Sequence, residues 1–142
     1  MGKKQMATFR LDALLFGIEV ERVQEVIRAQ TPTLVPLAPA AVAGLLNLRG
    51  QIVTAIDLRR ALGLGPRIRD ADSMNVVVRS ADEVVGLVVD EIGDVVEVTD
   101  EWFEVPPETL TRQGSELVRG VYKLNGVLLL VLDTDAVIAR AA

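Results

Sequence analysis

Two stretches of this sequence recur in the same order. Phe16-Gly17-Ile18-Glu19-Val20-Glu21-Arg22-Val23-Gln24-Glu25-Val26-Ile27 is matched, 69 residues on, by Val85-Gly86-Leu87-Val88-Val89-Asp90-Glu91-Ile92-Gly93-Asp94-Val95-Val96. Gly44 to Asp57 is matched, 76 residues on, by Gly120 to Asp133. In that second match Gly44 faces Gly120, Leu48 faces Leu124, Gly50 faces Gly126 and Asp57 faces Asp133. The extra residues fall in a loop that carries Pro106 and Pro107. One match between Val-rich strands is uninformative; two in register specify a duplicated unit. Half of 142 residues lies near the lower limit for independent folding. The two units are therefore expected to share a core or exchange strands.

Each unit reads as short strands. Phe16 to Val20 alternates apolar with small or polar residues, and Ile52 to Ile56 is largely β-branched and apolar. Asn75 to Val78, Val84 to Val89, Val95 to Val98, Leu117 to Leu124 and Val127 to Leu132 continue the series. Gly86 marks a bulge or a close backbone approach. Asn125-Gly126 is a strong two-residue hairpin signal, and Asp12-Ala13 a weaker turn. Helices are expected to be short. Val23, Val26 and Ile27 have i, i+3, i+4 spacing, which suggests a turn or two of helix over Glu21 to Ile27. Pro39 to Val42 fits a Pro-initiated helical turn. Asp57 and Asp133 are each placed to cap a helix that follows. The pattern predicts a mainly β fold of two similar small barrels. The first is expected over about 14–70 and the second over 72–133, with a flexible tail at 1–7.

Chemistry is constrained by what is missing. The chain has no Cys and no His, only three Ser and only three Lys. Thiolate and imidazole catalysis and zinc sites built on Cys or His are excluded. The net charge of −5 and five aromatic residues oppose nucleic-acid binding through a basic groove or a stacking platform. No apolar stretch approaches a membrane span, and Lys3-Lys4 precede no signal-type apolar run. A cytoplasmic protein without cofactor or metal is the expectation.

The repeat separates positions that serve the fold from positions that serve a role. Gly50 and Gly126 are kept at the turn, where φ is expected to be positive. Arg49 faces Asn125. Asn is ordinary before Gly in such a turn, and Arg is not. A guanidinium displayed on a rigid turn suits a partner's carboxylate or carbonyl. An internal pair with an acid such as Glu25 is the other reading.

Gly44-Leu45-Leu46-Asn47-Leu48-Arg49-Gly50-Gln51-Ile52-Val53 with Ile56-Asp57-Leu58-Arg59 resembles the signature of the CheW-like coupling domains of bacterial chemotaxis. Gly17-Ile18, Val23 to Ile27, Val35-Pro36 with Pro39, and Val85 to Asp90 are similar to the same family in order and spacing. The resemblance runs from about Phe9 to Ile138, so that 8–142 is expected to form one CheW-like domain. It implies two intimately packed five-stranded SH3-like barrels with short helices. It also implies a non-enzymatic adaptor. Such an adaptor couples the cytoplasmic tips of methyl-accepting chemoreceptors to the regulatory domain of a CheA-type histidine autokinase. It would be a monomer when alone, recruited to membrane-associated or cytoplasmic receptor arrays. By position, the resemblance assigns Val23, Glu25, Gly44, Arg49, Gly50 and Ile52 to the receptor side. An SH3-like nucleic-acid or ribosome-associated module is the alternative, which charge and aromatic content oppose.

Other groupings carry less. Ten acids lie between Asp82 and Glu108 with no Lys or Arg among them. They read as a solvated face, or as a face that meets a basic partner. Asp70 with Asp72, and Asp90 with Asp94, are weak metal candidates. Arg59, Arg60, Arg67 and Arg69 form the one basic cluster, read as surface. Gly63-Leu64-Gly65 lacks the spacing of a phosphate loop.

Overall fold

A computed structural model describes residues 2–28, 30–65, 73–80, 82–105 and 116–140 of the protein. The strands are β1 (Lys3–Leu11), β2 (Leu14–Glu19), β3 (Val23–Arg28), β4 (Val42–Leu48), β5 (Gln51–Asp57), β6 (Met74–Ser80), β7 (Glu83–Val89), β8 (Glu91–Thr99), β9 (Phe103–Glu104), β10 (Val118–Leu124) and β11 (Val127–Leu132). Two short helices follow β5 and β11: α1 (Leu58–Ala61) and α2 (Thr134–Arg140). Asp57 and Asp133 cap them, accepting from the backbone N–H of Arg60 and Ala136 at 3.3 and 3.1 Å. Asp70, Asp72, Arg67, Arg69 and the Pro106-Pro107 loop lie outside the described residues.

The strands form two sheets. One has the order β8-β1-β2-β11-β10-β9, the other β3-β6-β7-β5-β4. The sequence repeat maps onto pairings. Phe16 sits opposite Leu130 and Gly17 opposite Val131 in the parallel β2–β11 pair. Their repeat counterparts, Val85 with Thr54 and Gly86 with Ala55, occupy the parallel β7–β5 pair. Phe9 opposite Ile92 likewise answers Val78 opposite Val23. Each half of the chain thus sends its first hairpin into the sheet that the other half completes. A cut at 70–72 would part β6 and β7 from β3, β4 and β5. The six-stranded sheet exceeds five by the two-residue β9; its counterpart in the other sheet is a single bridge, Thr33 to Leu45.

Both faces of each sheet bury side chains, because each sheet curls on itself. The main core lies between the sheets and includes Phe9, Phe16, Ile18, Ile56, Leu87 and Leu130. Phe9 and Phe16 stack there, with centroids 5.7 Å apart. Met6, Leu15, Val98, Tyr122 and Leu129 fill the barrel of the six-stranded sheet. Leu46, Val53, Ala55, Val77 and Asn75 are buried on the corresponding face of the five-stranded sheet.

Three expectations are corrected. Residues 3–7 are strand, not tail: Met6 is buried, and Lys3 and Lys4 pair with Glu97 and Glu19 at 3.8 and 3.6 Å. Glu21 to Ile27 is not helical. A single 3-10 turn at Val20–Arg22 leads into β3, whose alternating burial and pairing with β6 win over the helical spacing. Pro39 opens only a turn, closed by Val42 N–H donating to Pro39 C=O at 2.9 Å, and β4 follows directly.

Gly44 and Gly120, the first glycine pair of the second match, are explained by packing. In both copies a bulge precedes the glycine, between Val42 and Gly44 and between Val118 and Gly120. A Cβ on Gly44 would overlap Thr33 O and come within 2.8 Å of Pro32 Cβ. A Cβ on Gly120 would overlap Phe103 and come within 2.6 Å of Glu104 O.

Candidate protein-interaction site

The β4–β5 hairpin turns on two residues with positive φ, Arg49 at 51° and Gly50 at 85°. That is the arrangement a two-residue hairpin with right-handed twist favours. Asn47 fixes it by accepting from Gly50 N–H at 2.9 Å. Nothing stands within 4 Å of where a Gly50 Cβ would be, so this glycine answers to φ and not to space. In the second copy Gly126 has φ 78°, but Asn125 does not enter the positive region. The left-handed residue of the first turn is therefore an arginine, where the chain could have used asparagine.

The Arg49 guanidinium reaches Glu25 on β3 and forms an ion pair and hydrogen bond with its carboxylate. β3 and β4 are the two edges of the five-stranded sheet, so this pair ties one edge to the hairpin that ends the other. Arg49 is 77% exposed and Glu25 only 21%. Glu25 lies on the half-buried side of β3 with Val23 and Ile27, while Val26 faces outward. Val23 packs partly against the core between the sheets. Ile52, beside the turn, is 61% exposed. Leu34, Val35 and Leu37, which run on from the Thr33 bridge, are exposed as well. On β3's outer face Gln24 accepts from Arg79 at 2.9 Å.

Of the six positions that the resemblance assigns to the receptor side, Arg49, Gly50 and Glu25 form one unit, and Ile52 flanks it. Val23 is turned largely inward. At Gly44 the close approach is made by this chain's own Thr33.

A second polar cluster corrects the surface expectation for Arg59. Arg59 is 7% exposed, held between Asp12, which takes two of its N–H groups, and Asp90, whose Oδ1 is 3.6 Å from Nε. Asp90 also accepts from Asp12 N–H at 2.8 Å. These residues come from the β1–β2 turn, from α1, and from the junction of β7 and β8. They join the two sheets. The signal that could have found them is the placement of Arg59 beside the buried Leu58 on a one-turn helix. Asp90 is thereby occupied, and Asp94 offers its backbone C=O to Thr8. No group of three or more acids among the described residues is placed to hold a metal ion. The acidic stretch is met in part by Lys3 to Glu97 and Lys123 to Glu104. Among the described residues no helix is long and apolar enough to cross a membrane.

The CheW-like domain profile matches residues 5–142. The chemotaxis protein CheW of Treponema pallidum is 32% identical over 91% of this chain and 78% of its own length. That of Bacillus subtilis is 29% identical over 96% and 88%. Protein FrzA of Myxococcus xanthus is 28% identical over 87% and 77%. Among solved structures, the scaffolding protein TtCheW from Thermoanaerobacter tengcongensis superposes with a TM-score of 0.82 at 29% identity, covering 93% of this chain and 85% of that one. By profile, relatives and fold, the chain belongs to the CheW-like domain family.

Proposed function

We propose that this protein is a non-enzymatic scaffold of chemosensory signalling that couples chemoreceptor tips to the regulatory domain of a CheA-type histidine kinase. The observation that carries the reading is the Arg49–Glu25 pair. It holds a charged, edge-to-edge tie at the surface of a rigid barrel, with exposed Ile52 beside it. A mostly exposed pair of this kind stabilises a fold by about 0–1 kcal/mol at best. Yet it keeps a strained arginine on a turn where asparagine would serve. Display to a partner accounts for that choice better than stability does. The names of the relatives support the setting: chemotaxis proteins, and a scaffolding protein among solved structures. On this reading Glu25, Arg49 and Ile52 face the receptor, Val23 supports them from beneath, and Gly44 and Gly50 shape the hairpin.

The test is calorimetric titration against the kinase regulatory domain and, separately, against a receptor-tip fragment, with Arg49→Ala run alongside. Saturable binding of both by the wild type, with the mutant losing only the receptor fragment, is expected. Absence of binding to both fragments, or equal receptor binding by the mutant, overturns the proposal.

A further inference from the structure

The open end of the six-stranded barrel holds a cavity of about 310 Å³. Small-ligand sites start near this size and favour barrel mouths. Met6, Phe103 and Val131 supply apolar wall. Tyr122 is 3% exposed and packs edge-on against Phe103, with centroids 5.2 Å apart. Its hydroxyl makes no hydrogen bond among the described residues and, not being one of the buried unpartnered atoms, opens to the cavity. Burial holds the phenol above its ordinary pKa, so it remains a donor.

Charges at the rim are unevenly committed. Lys4 is paired with Glu19 at 3.6 Å, and Asp100 accepts from Gly2 N–H at 3.1 Å. Arg119 makes no ion pair or hydrogen bond among the described residues. It sits at the bulge between Val118 and Gly120, a distortion that re-aims a side chain out of the pleat.

The repeat supplies an internal control. The same positions in the other barrel carry Ala43 for Arg119, Leu46 for Tyr122, Ser73 for Lys4 and Val88 for Glu19. A barrel of this topology closes without any of those four polar groups, so the fold does not require them here. An arginine without a partner and a buried phenol with an open hydroxyl then converge on one cavity for a reason other than folding. We propose that this barrel mouth binds a small organic carboxylate with an apolar body. Arg119 takes the carboxylate, Tyr122 donates its O–H to it, and Met6, Phe103 and Val131 hold the apolar end. The inference is independent of the Arg49 surface, which lies on the other barrel.

The test is an amide NMR titration of the intact protein with 3-phenylpropionate and with its neutral isostere 3-phenylpropionamide. Saturable shifts confined to residues 4–6, 119–122 and 131 are expected with the acid. The amide should bind about tenfold or more weaker, as fits loss of a charge-assisted pair. Arg119→Gln, an exposed change at a surface position, should bring acid binding down to the level of the amide. Tyr122→Phe should weaken the acid several-fold and leave the amide unchanged. Equal binding of acid and amide, shifts scattered over the other barrel, an unaffected Arg119→Gln, or no saturation by about 10 mM would each overturn it.

Discussion

Replacing Arg49 with asparagine separates the turn's conformation from its display. Arg49 holds φ 51°, a region that disfavours a side chain with Cβ by about 1–2 kcal/mol and that asparagine visits readily. The change therefore relieves about 1 kcal/mol of strain. It also removes the pair with Glu25, which at 77% exposure of the arginine contributes about 0–1 kcal/mol. The two effects nearly cancel, and Arg49→Asn is expected to be as stable as the wild type or slightly more so. Arg49→Ala keeps the strain and loses the pair, so it should be less stable by about 0–1 kcal/mol. Asparagine should thus exceed alanine by about 1 kcal/mol, roughly 3 °C in melting temperature for a chain of this size. Urea unfolding followed by the fluorescence of Trp102, the single tryptophan, measures this directly. Receptor-fragment binding should be lost in both variants despite their different stabilities. Equal stability of the two variants, or an asparagine variant below alanine, would refute the strain reasoning. Binding that tracked stability would refute the display reasoning.

Asn75 is fully buried, and among the described residues neither its amide nitrogen nor its amide oxygen has a partner; Asn75→Val should stabilise by about 1–3 kcal/mol in urea unfolding. An unchanged or lowered midpoint would mean that the amide is satisfied, for instance by a buried water. Arg59→Met strips the cation from Asp90, whose side chain is about as buried as its own. A loss of about 3–5 kcal/mol is expected, and Arg59→Lys, which keeps charge but not the fork, should recover only part of it. A loss below about 1 kcal/mol, the value of a surface pair, would show that the cluster does not join the sheets. Tyr122 is the single tyrosine, so phenolate absorbance reports it alone. Its pKa is raised above 10.0 chiefly by burial, so the native state holds the proton after the unfolded chain has released it. The contribution of Tyr122 to stability should be level below pH 10 and be lost as pH rises from there toward the native pKa, and Tyr122→Phe should abolish that part of the fall. Phenolate appearing in the native protein below that pH would count against a buried phenol.

The repeat carried the fold into view because equivalent residues occupy equivalent pairings, as Phe16 with Leu130 and Val85 with Thr54 do. Asn125-Gly126 and Asp12-Ala13 were visible as turns for the same local reason: short polar residues or glycine between apolar runs. β3 was not, because Glu25 occupies an inward position of its strand. An acid there breaks the apolar alternation that signals a strand, and its partner Arg49 lies 24 residues on. Arg59 was hidden likewise. Its partners Asp12 and Asp90 are remote in sequence, and a charge beside other charges looks solvated until the chain is closed around it. The Arg49 turn was legible as an anomaly, since its repeat partner is asparagine. The barrel mouth was not, since Lys4, Arg119 and Tyr122 meet only once β1 and β10 are in place.

The reciprocal placement of the two first hairpins has a consequence for a chain of half the length. A chain holding one half alone would lack the hairpin its sheet requires, and could obtain it only from a second copy of itself. A half-length chain would therefore close its sheets only as a two-fold dimer with exchanged hairpins, of the kind that closed symmetry favours. Joining the two halves in one chain turns a meeting that depends on dilution into one within a single molecule, at an effective concentration of about millimolar. It also releases the halves from identity. One barrel can then keep alanine and leucine at its mouth while the other carries arginine and tyrosine, and one turn can hold an arginine while its twin stays asparagine.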